Sequence, residues 1–392
     1  MRHLFAALAV LLPTAGFAAE PEKVDLYEAG KGGYAIYRIP GVVVTKSGTV
    51  LAYCEARKTG SDWGTIDLLL RRSTDGGKTW GEPKKIADVP EVKARHPVAI
   101  AKKLGKPDDL TYNNPVMIAD RSGAVHFLFC IEYMRCFYSR SDDDGGTWSK
   151  PAEITASAFD PLKKAHDWKV LATGPGHGIQ LKGGRLVVPV WLSLATGGNG
   201  HGDSVSATVY SDDGGKTWKP GEVAVPNAGE FASPNECCVA ELSDGRVMLN
   251  ARSPSKANRR LVTISPDGAT RWSRPAFDDA LPEPICMGSL LAVPGDKPVL
   301  LFSNPDNLQK GGKDGAPGTG RDRKNVSIRL SENDGHTWTA KRAVEPGLSA
   351  YSDLALAKDG TVLLLYERAG DKGQGYGKLT LARVPLAWVR DK

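Results

Sequence analysis

The residues of this chain best suited to chemistry are arginines, carboxylates and tyrosines, set out in an ordered series of short segments. Tyr37-Arg38-Ile39-Pro40-Gly41 comes first, then Cys54-Glu55-Ala56-Arg57 with Asp62 shortly after. Asn235-Glu236 and Asn250-Ala251-Arg252-Ser253 lie mid-chain; Arg321-Asp322-Arg323, Tyr351-Ser352-Asp353-Leu354 and Tyr366-Glu367-Arg368 lie near the end. Guanidinium groups are always charged and bind carboxylates bidentately. Tyr, Glu and Asp side chains can serve as nucleophile, base and acid. Taken singly, each has an ordinary reading: an arginine pairs on the surface, a tyrosine packs in the core, an aspartate after serine makes a turn. The series as a whole is what points to a reaction.

The elements that must position these residues announce themselves as an internal repeat. Ser73 to Trp80 reads STDGGKTW; related copies begin at Ser141, Ser211 and Ser331, and a worn copy, SPDGATRW, begins at Ser265. Start-to-start separations are 68, 70, 54 and 66 residues. Each copy reads as a hairpin turn in which Asp or Asn caps backbone N–H groups, glycines take positive φ, and the Trp packs beneath the turn. Short apolar, β-branched segments such as 49–55, 185–191, 246–252 and 361–367 read as strands. The stretch 157–169 lacks strand character and reads as a short helix or insertion. Repeated β units without helical pattern between them predict an all-β propeller, and about 350 residues at roughly 60 per unit predict six blades. The repeat itself is the Asp box, which speaks for fold and not for function. The loss of Gly and Thr from their usual places in the fourth copy puts that turn's geometry in question.

The ordered series resembles the exo-α-sialidases (neuraminidases) of the bacterial and animal type, over essentially the whole chain after its first residues. The resemblance implies that Arg38, Arg252 and Arg323 hold the carboxylate of a sialic acid. It implies Tyr351 as nucleophile with Glu236 as its base, Asp62 as general acid, and Glu367 as the residue that holds Arg38. Arg57 is implied as a sugar contact near O4, and Asn114, in Asn113-Asn114-Pro115, as a contact near the acylamino side. A tyrosine nucleophile suits a substrate whose anomeric carbon already bears a negative charge, and sialidases are a recognised exception of this kind among glycosidases. The expected reaction is retaining hydrolysis of terminal α-linked sialic acids on glycoproteins, glycolipids or oligosaccharides, without cofactor or metal and with a mildly acidic optimum. His177, in a Gly-Pro-Gly-His-Gly stretch, reads as a loop residue outside this chemistry. Three rivals share the repeats: a glycan-binding propeller without catalysis, a trans-sialidase or KDN-preferring hydrolase, and a purely structural propeller. A transferase needs an acceptor site, to which Trp63 or Trp191 could contribute. A binding module has no need of Tyr351, Glu236 and Asp62 together.

Composition sets the bounds. The chain has 392 residues, 41% hydrophobic and 24% charged, with 44 glycines and 26 prolines, as suits a globular fold with many tight turns. Arg2, the apolar run Leu4 to Leu12 and Gly16-Phe17-Ala18 read as a signal peptide over residues 1–18. The expectation is therefore an exported protein, periplasmic or secreted, with one catalytic domain over 19–392 and no appended lectin-like domain. A net charge of +6 is compatible with an anionic substrate, and no basic run interleaved with aromatics suggests nucleic acid. The six cysteines match no zinc pattern; export permits disulfides, and Cys130 and Cys136 could face each other across a hairpin.

Overall fold

The Asp boxes build the corners of the molecule. In the first, Asp75 accepts hydrogen bonds from the Thr79 amide (2.9 Å) and hydroxyl (2.6 Å), while Ser73 Oγ accepts from Gly77 N at 2.9 Å. Gly76 and Gly77 take φ of 73° and 88°, a region closed to most side chains, and the Trp80 indole donates back to Gly77 O at 3.1 Å. The worn copy keeps the same chemistry in a turn shortened by one residue. Asp267 accepts from Thr270 N (2.8 Å) and Thr270 Oγ1 (2.9 Å), and Arg271 follows with φ 53°.

The computed structural model describes residues 19–391; the expected signal peptide at 1–18 lies outside them. The fold is all-β. Strands Ile36–Val44, Val50–Arg57, Ile66–Ser73 and Lys84–Lys85 pair in chain order as one sheet. A second sheet holds Tyr112–Ala119, Val125–Ile131, Arg135–Ser141 and Ala152–Glu153, with Gly176–His177 added in parallel. A third holds Val170–Thr173, Leu186–Ser193, Ser204–Ser211 and Lys219–Val225, and a fourth Cys237–Glu241, Val247–Ala251, Arg259–Ser265 and Ala276–Pro282. These are four blades. The segments expected as strands fall on strands, and the stretch after Ala152–Glu153 is helical, with Thr155–Ala158 followed by a 3-10 turn at Asp160–Lys164.

The expectation of six blades is corrected by the remaining long strands, which form one curled seven-stranded sheet, beside a two-stranded ribbon of Gln309–Lys310 and Lys313–Asp314. Its spine is the 17-residue strand Ala340–Leu356. The first part of that strand pairs with Lys324–Ser331 and the second with Val362–Arg368, with no break between them. Spacing between Asp boxes counts hairpin turns; it carries no information on whether a strand runs on from one sheet region into the next. The first described strand, Glu22–Glu28, pairs antiparallel with Lys378–Val384 in the same sheet, so both ends of the described chain are secured there.

The leading strands of the sheets converge, and their upper ends carry the residues of the chemical series. Val50–Arg57 is buried at every position although it contains Glu55 and Arg57, which is tolerable only because the two pair with each other. Gly41 lets the chain cross the ring of Tyr53: a Cβ there would stand 2.1 Å from a ring carbon. Just before it, the strand bulges between Arg38 and Gly41, and Ile39 is held at φ 58°. For a β-branched residue that is a genuine outlier, and the bulge re-aims Arg38.

All six cysteines are buried and free. Cys130 and Cys136 do stand directly opposite each other on paired strands. Among the described residues no helix is long and apolar enough to cross a membrane, and no cluster of His, Cys, Asp and Glu is placed to hold a metal ion.

Candidate active site

Eight of the nine residues singled out in the sequence line one cavity of about 360 Å³: Arg38, Arg57, Asp62, Asn114, Glu236, Arg252, Arg323 and Tyr351. The ninth, Glu367, lies directly behind it. Strand ends from across the molecule deliver them. Arg38 and Arg57 come from the first sheet, Asn114 from the second, Glu236 and Arg252 from neighbouring strands of the fourth, and Tyr351 and Glu367 from the curled sheet. None of the Asp-box aspartates borders the cavity.

At its floor, the phenol oxygen of Tyr351 lies 2.6 and 2.7 Å from the two carboxylate oxygens of Glu236. Arg252 Nη1 donates to both partners, to Tyr351 Oη at 2.7 Å and to Glu236 Oε2. Burial and, less strongly, the Glu236 charge push the Tyr351 phenol well above the usual range; Arg252, Arg323 and Arg38 pull it back in part. The Arg38 and Arg323 guanidiniums stand 5.0 and 5.1 Å from the Tyr351 ring centre, so three cations surround one phenol. Arg252 Nε is buried with no acceptor in the protein.

Glu367 is fully buried and accepts four hydrogen bonds. Arg38 binds it through Nε at 2.9 Å and Nη2 at 3.2 Å, while the amides of Ile39 and Tyr351 donate at 3.0 and 3.2 Å. One carboxylate thus ties an arginine to the backbone of the tyrosine.

Arg57, 1% exposed, joins Asp62 at 2.6 Å and Glu55 at 2.6 and 2.9 Å. Asp62 is 43% exposed at the mouth. Burial alone would raise its carboxyl, but Arg57 and, more weakly, His201 and Arg38 outweigh that and bring it down to about 2. Held against Arg57, Asp62 is therefore ionised across the mildly acidic range. Asn114 faces the cavity with φ 51°; Glu55 Oε1 accepts from its amide at 2.8 Å and its side chain from Asn113 at 2.8 Å.

Several residues of the site were not read from sequence. Glu55, quoted within its motif but given no role, anchors Arg57 and Asn114 together. Tyr133, Trp191 and His201 make an aromatic wall, with His201 edge-on to Trp191 at 5.4 Å and to Tyr133 at 5.2 Å. Trp191 Nε1 and His201 Nδ1 are buried there without protein partners. Trp63 stands behind the wall, stacked on His201 at 5.7 Å and donating to Asn199 O at 2.8 Å. His177 is in a two-residue strand and no loop; it bonds Asp353 at 2.8 Å, away from the cavity.

Residues 48–364 match the model of the BNR repeat-like domain family. The chain is 32% identical to a sialidase of Micromonospora viridifaciens over 93% of its own length and 54% of that protein's. It is 32% identical to a sialidase of Bacteroides fragilis over 88% of its length and 62% of the relative's. The chain thus spans little more than half the length of these curated relatives. Among solved structures, the Hadza microbial sialidase Hz136 superposes with a TM-score of 0.75 at 27% identity, covering 94% of this chain and 69% of that one.

Proposed function

Because the chain belongs to the BNR repeat-like domain family and is similar to sialidases over most of its length, we propose that it is a retaining exo-α-sialidase that hydrolyses terminal α-linked sialic acids. The observation that carries the reading is the contact between Tyr351 and both oxygens of Glu236, beneath three arginines. A sialic acid bears its carboxylate on the reacting carbon. Arg38, Arg252 and Arg323 supply the positive surface for it.

Tyr351 Oη attacks the anomeric carbon as its proton passes to Glu236, and the bond to the leaving oxygen breaks. A neutral phenol avoids the repulsion that an Asp or Glu nucleophile would meet beside the substrate carboxylate. Burial and the negative charge of Glu236 both oppose phenolate formation; passing the proton to Glu236 at 2.6 Å neutralises that charge, and the Arg252 guanidinium at 2.7 Å stabilises the oxygen as it attacks. Asp62 gives a proton to the leaving oxygen. Because Arg57 keeps it ionised in the free site, Asp62 takes this proton from solvent at the exposed mouth once the substrate draws Arg57 away, which the sugar's O4 hydroxyl and the added negative charge both favour. In the second half, Asp62 takes a proton from water, the water oxygen replaces Tyr351 at the anomeric carbon, and Glu236 returns the proton to the phenol. Two displacements leave the configuration unchanged.

The test is hydrolysis of a fluorogenic α-sialoside followed by proton NMR. The α-anomer of free sialic acid appearing first supports the reading. The β-anomer first, or binding with no cleavage, overturns it. The signal peptide read at residues 1–18 extends the proposal to an enzyme that acts outside the cytoplasm; N-terminal sequencing of the exported product tests this.

A further inference from the structure

Two of the carboxylate-binding arginines share a neighbour that does not border the cavity. We infer that Tyr376 is a positioning residue that fixes the spacing and orientation of Arg38 and Arg323; this rests on the sialidase reading above. The Arg38 guanidinium lies 4.0 Å over the centre of the Tyr376 ring, and its hydrogen bonds go to Glu367. The Tyr376 hydroxyl accepts from Arg323 Nη1 at 3.2 Å, while Arg323 Nη2 donates to Ile285 O at 2.7 Å. One side chain therefore touches both cations, one through its ring face and one through its oxygen.

The surrounding backbone is built to hold it there. Tyr376 has φ 56°, close to the 58° of Ile285, whose carbonyl accepts from Arg323, and of Ile39, which follows Arg38 in the chain. Non-glycine residues persist in that region only when their surroundings over-determine them, and such residues gather at functional sites. The loop that presents Tyr376 closes on itself at Gly377, where a Cβ would stand 2.2 Å from Gly370 N. Behind Tyr376 lies a second cavity of about 340 Å³, bordered by Arg321, Leu348, Tyr376 and also Arg323. Arg323 thus borders both spaces, and its bonds to the Tyr376 hydroxyl and to Ile285 O fix its guanidinium between them.

The experiment compares Tyr376→Phe and Tyr376→Leu with the wild type. Measured are kcat and KM on a fluorogenic α-sialoside, inhibition by 2,3-didehydro-2-deoxy sialic acid, and inhibition by that compound's methyl ester. The phenylalanine variant keeps the ring and loses one charged hydrogen bond; the acid should bind about 3- to 10-fold more weakly. The leucine variant loses ring and hydroxyl, and the acid should weaken by roughly 30- to 100-fold, with KM rising more than kcat falls. Binding of the ester, which lacks the charge, should change less than about twofold in either variant. Equal weakening of acid and ester, or no change in either, overturns the inference while leaving the sialidase reading intact. A wild-type protein that neither cleaves the sialoside nor binds the acid overturns both.

Discussion

The Tyr351 phenol touches both carboxylate oxygens of Glu236, at 2.6 and 2.7 Å, and shares Arg252 Nη1 with it. The three groups act as a unit, so removing the hydroxyl should abolish chemistry without unfolding the site. Tyr351→Phe is predicted to lower kcat by about 10²- to 10⁴-fold. Binding of an unreactive sialic acid analogue, followed by titration calorimetry, should remain within about threefold, since the arginines are untouched.

Glu367 supports Arg38 and Tyr351 at once, from a fully buried position. In Glu367→Gln the volume is kept but the charge is lost, leaving Arg38 without its counter-ion. Breaking a buried pair from one side costs about 3–5 kcal/mol, and urea denaturation should show it. The KM for a sialoside should rise at least about tenfold, as one carboxylate ligand loses its fixed position.

The Arg57–Asp62 pair makes a prediction with a definite sign. Folding lowers the Asp62 carboxyl from 3.8 to about 2. Its ionised form therefore contributes stability that is fully present above about 3.8 and is lost as pH falls through about 2. Carboxyl NMR should place its midpoint in the wild type near 2, and Arg57→Gln should move it upward. With an unreactive sialic acid analogue bound, the midpoint should also rise, because the ligand both adds negative charge and competes for Arg57. A midpoint unaffected by the ligand would remove Asp62 from the acid's role.

His177 offers the opposite sign. Its buried ring would titrate below 6.5 but for Asp353 at 2.8 Å, which raises it overall. Asp353 also accepts from Val42 N at 2.8 Å and Ser289 Oγ at 2.7 Å, so the pair joins the first, second and curled sheets. Stability from the protonated ring is complete below about 6.5 and lost as pH rises through the higher folded value. Thermal melts of the wild type should fall more steeply than those of His177→Gln between neutral and alkaline pH.

What the sequence made legible follows from what a motif can encode. Arg38, Arg252, Arg323, Glu236 and Tyr351 stand in segments whose order carries meaning, and all of them reach one cavity. Glu55 was available too: a carboxylate inside the otherwise apolar run Val50–Ala56 must have a buried partner, and Arg57 was adjacent in the motif. Tyr376 and His201 had no such mark. Both lie in glycine-rich loops, and only the left-handed turn at 376 and the packing of 197–202 over Trp63 bring them to the site. The hairpin turns were legible because Ser, Asp or Asn, Gly and Thr make local hydrogen bonds in each copy. Sheet membership was not, since the continuity of Ala340–Leu356 depends on two different partner strands far apart in sequence.

The central claim is that Tyr351 itself attacks the anomeric carbon. Incubation with a 2,3-difluorosialic acid, whose fluorines slow release of the sugar, followed by proteolysis and mass spectrometry, tests it directly. The account predicts one added sialyl group on the peptide containing Tyr351, absent in Tyr351→Phe and slowly lost as activity returns. An adduct on Glu236 or Asp62, or full inhibition with no adduct on any peptide, would contradict it.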